Sequence, residues 1–400
     1  MKILWNSTPP WSPSSYSILT ERVVPDIVRS GHQVTLATWY GLQGSPLPWH
    51  IHQTKDKTTP VVGTVMVLPY KNGSSYGIDT MLASYRHFQS DILITESDVW
   101  VFPPEVTAKT VFCPHFPVDM DPLPAPVKNS LQSAVYPMVY SEFGQRVCED
   151  AGVKAHHVPC GADADFFKPI PKEEARKSFA VPEWCDFLVT MVAANKDPND
   201  RKGLRVAIQA FAEHVKKYNE NACMYIHTDW SGPITIPELI RTLGIEKNVL
   251  RPDGYGYAMG MFDEKYIMNV YNASDVLLNP CLSEGWGLPI VEAQMCGTPV
   301  IVTDFATTDE IFSAGWKVSG PLEWSSGLNS FRMSVEPSQI VAALEEAYKA
   351  KDSKSLKKKA RKGVMKFDTD NVYRQYWKPA LLEIEKIVDR AKMVTVPEMV

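Results

Sequence analysis

Residues 279–304, NPCLSEGWGLPIVEAQMCGTPVIVTD, constrain the fold more than any other stretch of this chain. A short apolar run at 276–278 precedes them, and a second, at 300–302, lies near their end. Between the two runs come a Pro-Cys-Leu-Ser turn, Gly285 and Gly287, a helix-like run that holds Glu292, and Gly297-Thr298-Pro299. Strand, glycine-bearing turn, helix and strand in that order make a βαβ unit, and hence a parallel sheet. Open parallel sheets bind ligands beyond the carboxyl ends of their strands, and the turn that carries Glu284 lies at such an end.

The opening of the chain has the same order. Residues 1–5 read as a buried strand, 6–15 as a long polar turn, about 16–30 as an amphipathic helix closed by Gly31, and 34–37 as the next strand. Further strands are predicted at 61–68, 91–95, 100–102, 110–113 and 135–140, with 41–59 as an extended loop over a cleft. After a turn-rich exit near Lys168, the pattern resumes with a strand at 187–193, a polar loop at 194–203, a helix at 204–218 and a strand at 222–227. A Gly/Ser-rich loop is predicted at 320–332 and a long last helix at 373–393. A chain of 400 residues is too long for one core of usual size. The expected division is 1–168, 169–365 and a C-terminal helical segment, 366–400.

With 41 basic and 46 acidic residues the formal charge is −5, which leaves no overall basic field for a polyanion. The absence of an apolar leader or of a run long enough to span a bilayer makes a cytoplasmic location the expectation. The seven cysteines include no CxxC pair, so buried reduced thiols are expected rather than disulfides or zinc ligands. The basic run at 357–366 reads as a solvated helix face, with peripheral membrane or nucleic-acid contact as the alternative.

Beyond spacing, the residues around Glu284 and Glu292 resemble the Glu-x7-Glu region of retaining GT-B glycosyltransferases that use nucleotide sugars, of the family 4 type. Gly-Trp-Gly-Leu-Pro between the glutamates and Glu-Ala-Gln-Met-Cys-Gly-Thr-Pro after them carry the likeness. Other blocks in the same order are Gly31-His-Gln-Val-Thr-Leu, Gly161-Ala-Asp-Ala-Asp-Phe-Phe-Lys-Pro, Arg201-Lys202-Gly203, Asn272-Ala-Ser-Asp275 and Asp309-Glu-Ile. The resemblance implies an α/β fold of GT-B architecture: two Rossmann-like doubly wound domains facing a cleft, with the C-terminal helix crossing back to the first. It implies a nucleoside-diphosphate sugar as co-substrate, with neither cofactor nor metal. Asp119-Met-Asp121, Asp163-Ala-Asp165 and Asp368-Thr-Asp370 then read as chance Asp-x-Asp matches, the first and last of them away from the donor loops.

Departure of a nucleoside diphosphate leaves negative charge on its β-phosphate, so cations and backbone donors belong at that point. Lys202 and Lys196 lie in a loop that opens a helix, where amides also favour anions. The family usually has arginine at position 196; with lysine there, Arg201 is the candidate for the missing guanidinium. By resemblance Gly287 and Leu288 offer amides to the diphosphate within the donor loop that also holds Gly285 and Trp286. Glu292 would accept from the ribose hydroxyls and Glu284 from the donor sugar. His115, after the predicted strand at 110–113, resembles the family's active-site histidine and is expected to face the cleft. Catalytic candidates are therefore His115, Glu284 and Lys202.

The acceptor side departs from the family. Where a glycine pair is usual, this chain has Pro9-Pro-Trp-Ser-Pro-Ser-Ser15. Ser14 and Ser15 are the candidate donors there, and Trp11, Trp39 and Tyr40 the candidate aromatic contacts. Residues 1–168 hold twelve Lys/Arg against fifteen Asp/Glu, which favours a small-molecule, lipid-linked or glycan hydroxyl over a nucleobase in DNA. A sugar-nucleotide epimerase or a non-catalytic nucleotide-sugar-binding protein on the same scaffold remains an alternative.

Overall fold

The computed structural model describes residues 1–70, 75–179 and 181–395. The last residues of the expected 366–400 segment, 396–400, lie outside them. The chain forms two compact units. The first comprises Met1–Val118, Pro122–Gly161 and the chain from Thr369 onward; the second comprises Asp119–Asp121 and Ala162–Asp368.

Unit 1 is built on β1 (Lys2–Ser7), β2 (Gln33–Thr38), β3 (Leu47–His52), β4 (Val61–Leu68) and β5 (Ile92–Thr95), in the order β3-β4-β2-β1-β5. All neighbours run parallel except β3 with β4. A smaller parallel sheet, β6 (His115–Phe116), β7 (Met138–Val139) and β8 (His156–His157), continues it through the bridge between Glu96 and His115. β1 is buried along five of its six residues, as a central strand covered on both faces must be. The helix Ser15–Arg29 starts at Ser14, whose hydroxyl accepts from the Ser17 amide at 3.1 Å.

The C-terminal helix Lys378–Thr395 belongs to this unit, as expected. Trp377, fully buried, meets Trp5 with ring centroids 5.6 Å apart, and Leu381, Ile384 and Val388 enter the same core. Three stretches differ from the sequence expectation, one of them 110–113, where Phe112 makes only isolated bridges and the strand lies at His115–Phe116. Residues 41–59 contain the edge strand β3, whose partner β4 supplies a pairing that local composition does not reveal. Residues Val99–Val101 form a 3-10 turn instead of a strand.

Unit 2 holds β9 (Phe187–Val192), β10 (Ala222–His227), β11 (Val249–Leu250), β12 (Val276–Asn279), β13 (Val300–Thr303) and β14 (Gly315–Val318). Their order is β11-β10-β9-β12-β13-β14, parallel throughout. This is the doubly wound order with its reversal between β9 and β12. The helices Leu204–Lys217, Glu264–Ala273 and Leu288–Met295 connect or cover these strands. The predicted loop at 320–332 contains an antiparallel hairpin, β15 (Leu322–Ser325) with β16 (Ser330–Met333). All seven cysteines are buried, and none is in a disulfide. Among the described residues no helix is long and apolar enough to cross a membrane.

Candidate active site

The reversal between β9 and β12 opens a crevice at their carboxyl ends, and the loops that leave these two strands carry the charged candidates. Lys202, on the β9 side, places Nζ 2.6 Å from Oε2 of Glu284 on the β12 side. Both side chains are mostly shielded, with 22% and 12% of their surfaces exposed. Burial pushes the Glu284 carboxyl up. The Lys202 and Arg201 charges, with hydrogen bonds from Lys202 and the Cys281 thiol, outweigh this and hold it below the usual carboxylate range.

The two loops can approach this closely because of Gly203. It sits at φ +70°, and a Cβ there would lie 2.4 Å from the Pro280 carbonyl oxygen. The Leu282 amide donates to the Arg201 carbonyl at 2.8 Å, and Arg201 Nη1 donates to the Ser283 carbonyl at 2.7 Å. Arg201 therefore stitches the loops together through Nη1 instead of presenting that nitrogen as a spare guanidinium donor.

Asp119 was read from sequence as remote from these loops. It lies beside them, with Oδ2 3.3 Å from the Ser283 hydroxyl and 3.4 Å from Arg201 Nη1. The helix-start amides after Lys202 are not available to an anion either. Buried Asp200 accepts from the amides of Leu204 and Arg205, each at 2.8 Å. Lys196 is exposed, and its charge faces Asp229.

The β12 side is different. Gly287, at φ +95°, caps the helix Leu288–Met295. Residues 285–288 are buried, yet none of their four amides has an acceptor among the described residues. Amides left unpaired at a helix start have the geometry to receive an anion. Thr307, which the sequence reading missed, shapes this row from the β13 exit. Its hydroxyl lies 2.8 Å from the Glu284 carbonyl and 3.2 Å from that of Trp286. The Trp286 side chain points inward: its ring packs edge-on against Phe367 at 5.0 Å and its Nε1 is buried. Its backbone, not its indole, belongs to the site. Glu292 is 5% exposed and accepts from the Tyr271 hydroxyl at 3.1 Å.

In unit 1, His115 does not face outward. It is 1% exposed, with Nδ1 2.6 Å from Glu96 Oε2 and Nε2 2.8 Å from the Val158 carbonyl oxygen. A carbonyl only accepts, so Nε2 carries a hydrogen committed to it. Tyr140 donates to the other Glu96 oxygen, and Trp377 packs edge-on against the imidazole at 4.7 Å. In this structure His115 is a buried tie between the carboxyl end of β5 and Val158.

Ser14 is likewise committed, capping its helix and bonding Thr8 Oγ1 at 2.8 Å, while Ser15 and Trp11 are exposed. Trp39 gathers Tyr16, Tyr40 and Tyr76 around it at the ends of β1 and β2. In the same region, Asn6 Oδ1, Trp39 Nε1, Thr95 Oγ1 and Ser97 Oγ are buried without a hydrogen-bond partner.

Residues 191–362 match the family model described as glycosyl transferases group 1. Among curated relatives, the D-inositol 3-phosphate glycosyltransferase of Acidothermus cellulolyticus is 29% identical over 148 residues, covering 36% of this chain and 32% of the relative. The chain spans only about a third of the length of the curated relatives it matches. Among solved structures, sucrose-phosphate synthase from Thermosynechococcus elongatus aligns with a TM-score of 0.72 at 14% identity, covering 99% of this chain and all of that one. Anabaena HepE in complex with UDP-glucose aligns with a TM-score of 0.65 at 14% identity, over 98% and 100% of the two chains. At such identities the likeness is one of fold.

Proposed function

We propose that the chain is a retaining glycosyltransferase, a reading supported by the match of residues 191–362 to the glycosyl transferases group 1 model and by the GT-B fold. It moves a hexose or related sugar from a nucleoside diphosphate to a hydroxyl acceptor. The observation that carries this reading is the pairing of Lys202 with Glu284 beside the four unpaired amides of residues 285–288. The amides and Lys202 receive the diphosphate, whose negative charge grows as the bond from the sugar's anomeric carbon to the phosphate oxygen breaks. Glu284, held ionised, accepts from the sugar hydroxyls, and Glu292 from the ribose diol.

The acceptor oxygen attacks on the face that the diphosphate leaves and passes its proton to the leaving phosphate oxygen. The configuration is retained without a protein nucleophile. In this mechanism the charge is balanced by Lys202 and the amide row, and no metal step is invoked. The acceptor half is assigned to the β1 and β2 ends of unit 1, where aromatic faces and unpaired polar atoms suit a sugar or another polyol. The family relatives and the UDP-glucose complex of a fold neighbour support a nucleotide-sugar donor. Buried cysteines outside any disulfide accord with the reducing interior of a cell, the proposed location.

Release of nucleoside diphosphate from a panel of sugar nucleotides, with the anomeric configuration of the product read by NMR, tests the proposal. Lys202→Met should lower kcat/KM by about 10²–10³-fold, as for loss of one transition-state charge contact. No release from any donor, or a fully active Lys202→Met, would overturn it.

A further inference from the structure

Unit 1 holds an open pocket of about 750 Å3. Its floor includes Val135 and Pro137, just before β7, and Val153 and Lys154, just before β8. These are amino-terminal strand ends, whereas the acceptor assignment uses carboxyl ends. One wall is a face of the helix Lys378–Thr395, on which Glu383, Lys386, Ile387 and Arg390 are spaced to lie together. The same helix keeps to this edge of the unit. Its Glu385 approaches the Met1 ammonium at 3.9 Å, and its Lys392 reaches Asp91, which precedes β5, at 2.7 Å.

The charge of the pocket opposes that of the chain. Lys128, Lys154, Lys386 and Arg390 line it, and none of these side chains has a hydrogen-bond or ion-pair partner among the described residues. The single carboxylate, Glu383, is already engaged by the Tyr136 hydroxyl at 2.6 Å. Four unpaired cations around one space repel each other, and an anion relieves that repulsion. The lining is not wholly polar. Leu131 and Ile387 contribute apolar surface, and Tyr136 lies stacked on His156 at 3.8 Å with planes 8° apart.

We propose that this pocket binds an organic phosphate. The phosphate group is held by the Lys128, Lys154, Lys386 and Arg390 side chains, and the organic part rests on Leu131, Ile387 and the Tyr136–His156 stack. A free phosphate ester and the headgroup of an anionic lipid share this chemistry. The proposal is independent of the donor site in unit 2.

The test titrates the full chain, by calorimetry at low salt, with 1-naphthyl phosphate. In parallel, sedimentation is measured with phosphatidylcholine vesicles that do or do not contain phosphatidic acid. Binding of the ester, or of the acidic vesicles alone, supports the proposal and identifies the source as soluble or membrane-borne. The double variant Lys386→Ala/Arg390→Ala should weaken that binding by about tenfold or more, since two charge-assisted contacts are lost. Should that variant fail to fold, Lys128→Ala/Lys154→Ala removes charge from the remainder of the pocket and should weaken binding similarly. Nucleoside diphosphate release should stay as in the unaltered chain for both variants. Failure to bind either probe, or unchanged binding by both folded double variants, would overturn the proposal.

Discussion

At the residue scale, burial separates side chains of similar promise. Glu284 and His115 are both catalytic candidates by resemblance, but Glu284 meets Lys202 at a strand exit, while both nitrogens of His115 are engaged inside unit 1. The sequence shows a histidine after a strand; it does not show that Glu96, nineteen residues earlier, will meet it. Another histidine has a consequence for stability. His214 is fully buried among Phe187, Tyr218 and Tyr348, with neither ring nitrogen hydrogen-bonded. Burial, opposed by the more distant Glu345 and Asp186, lowers its pKa from 6.5 to about 4. The unfolded chain therefore binds a proton below pH 6.5 that the folded chain refuses until about pH 4. Stability is complete above the unfolded value and declines as the pH falls through that window, by about 3 kcal/mol from this one group. Urea unfolding near pH 7 and again near pH 4.5 should show a smaller acid loss in His214→Leu than in the unaltered chain; equal losses would contradict the assignment.

At the element scale, the site depends on how two loops close on each other. The βαβ unit at 279–304 was legible because its signals are local: apolar runs, glycines at the turn, and proline next to the helix start. Gly287 and its helix lie where that pattern implied. The partners across space were not legible. Arg201 and Asp119 are 82 residues apart in sequence and meet only through folding, so no pattern along the chain could connect them. β3 escaped notice because a short edge strand with a proline resembles a loop until its partner is known. Gly203 is the element-level hinge of the donor half. Alanine at φ +70° is strained, and its Cβ would collide with the Pro280 carbonyl, 2.4 Å away. Gly203→Ala should force the loops apart and separate Lys202 from Glu284. A displacement of about 1 Å is enough to cost on the order of 10²-fold in rate. We expect donor turnover to fall by that order while the melting temperature drops by only a few degrees. Unfolding of the whole unit, or turnover within about twofold of normal, would show that the close approach is not what positions the pair.

At the scale of the whole molecule, the two units are built differently in sequence. Apart from residues 119–121, unit 2 is one continuous segment with its own six-stranded sheet and core. Unit 1 is discontinuous and takes its last piece from the far end of the chain. That the C-terminal helix belongs to the first domain came from resemblance; composition alone gives a long amphipathic helix and no destination. The structure supplies the physical reason for it. Trp377, Leu381, Ile384 and Val388 are each at most 4% exposed and share a core with Trp5, Val24 and Ile27. Burying four such side chains contributes roughly 1.5–3 kcal/mol each, or about 6–12 kcal/mol together, comparable with the net stability of about 5–15 kcal/mol of an ordinary domain. Removing the chain after Asp368 should therefore unfold unit 1 and leave unit 2 folded. Hydrogen exchange read by mass spectrometry should show fast exchange throughout residues 1–118 and preserved protection in β9, β10, β12 and β13. The donor half would survive in such a fragment. It should retain nucleoside diphosphate binding, measured by calorimetry, while losing transfer to any acceptor. A truncated chain in which β1 and β5 stay protected would show that the C-terminal helix covers the unit 1 core without being needed to hold it together.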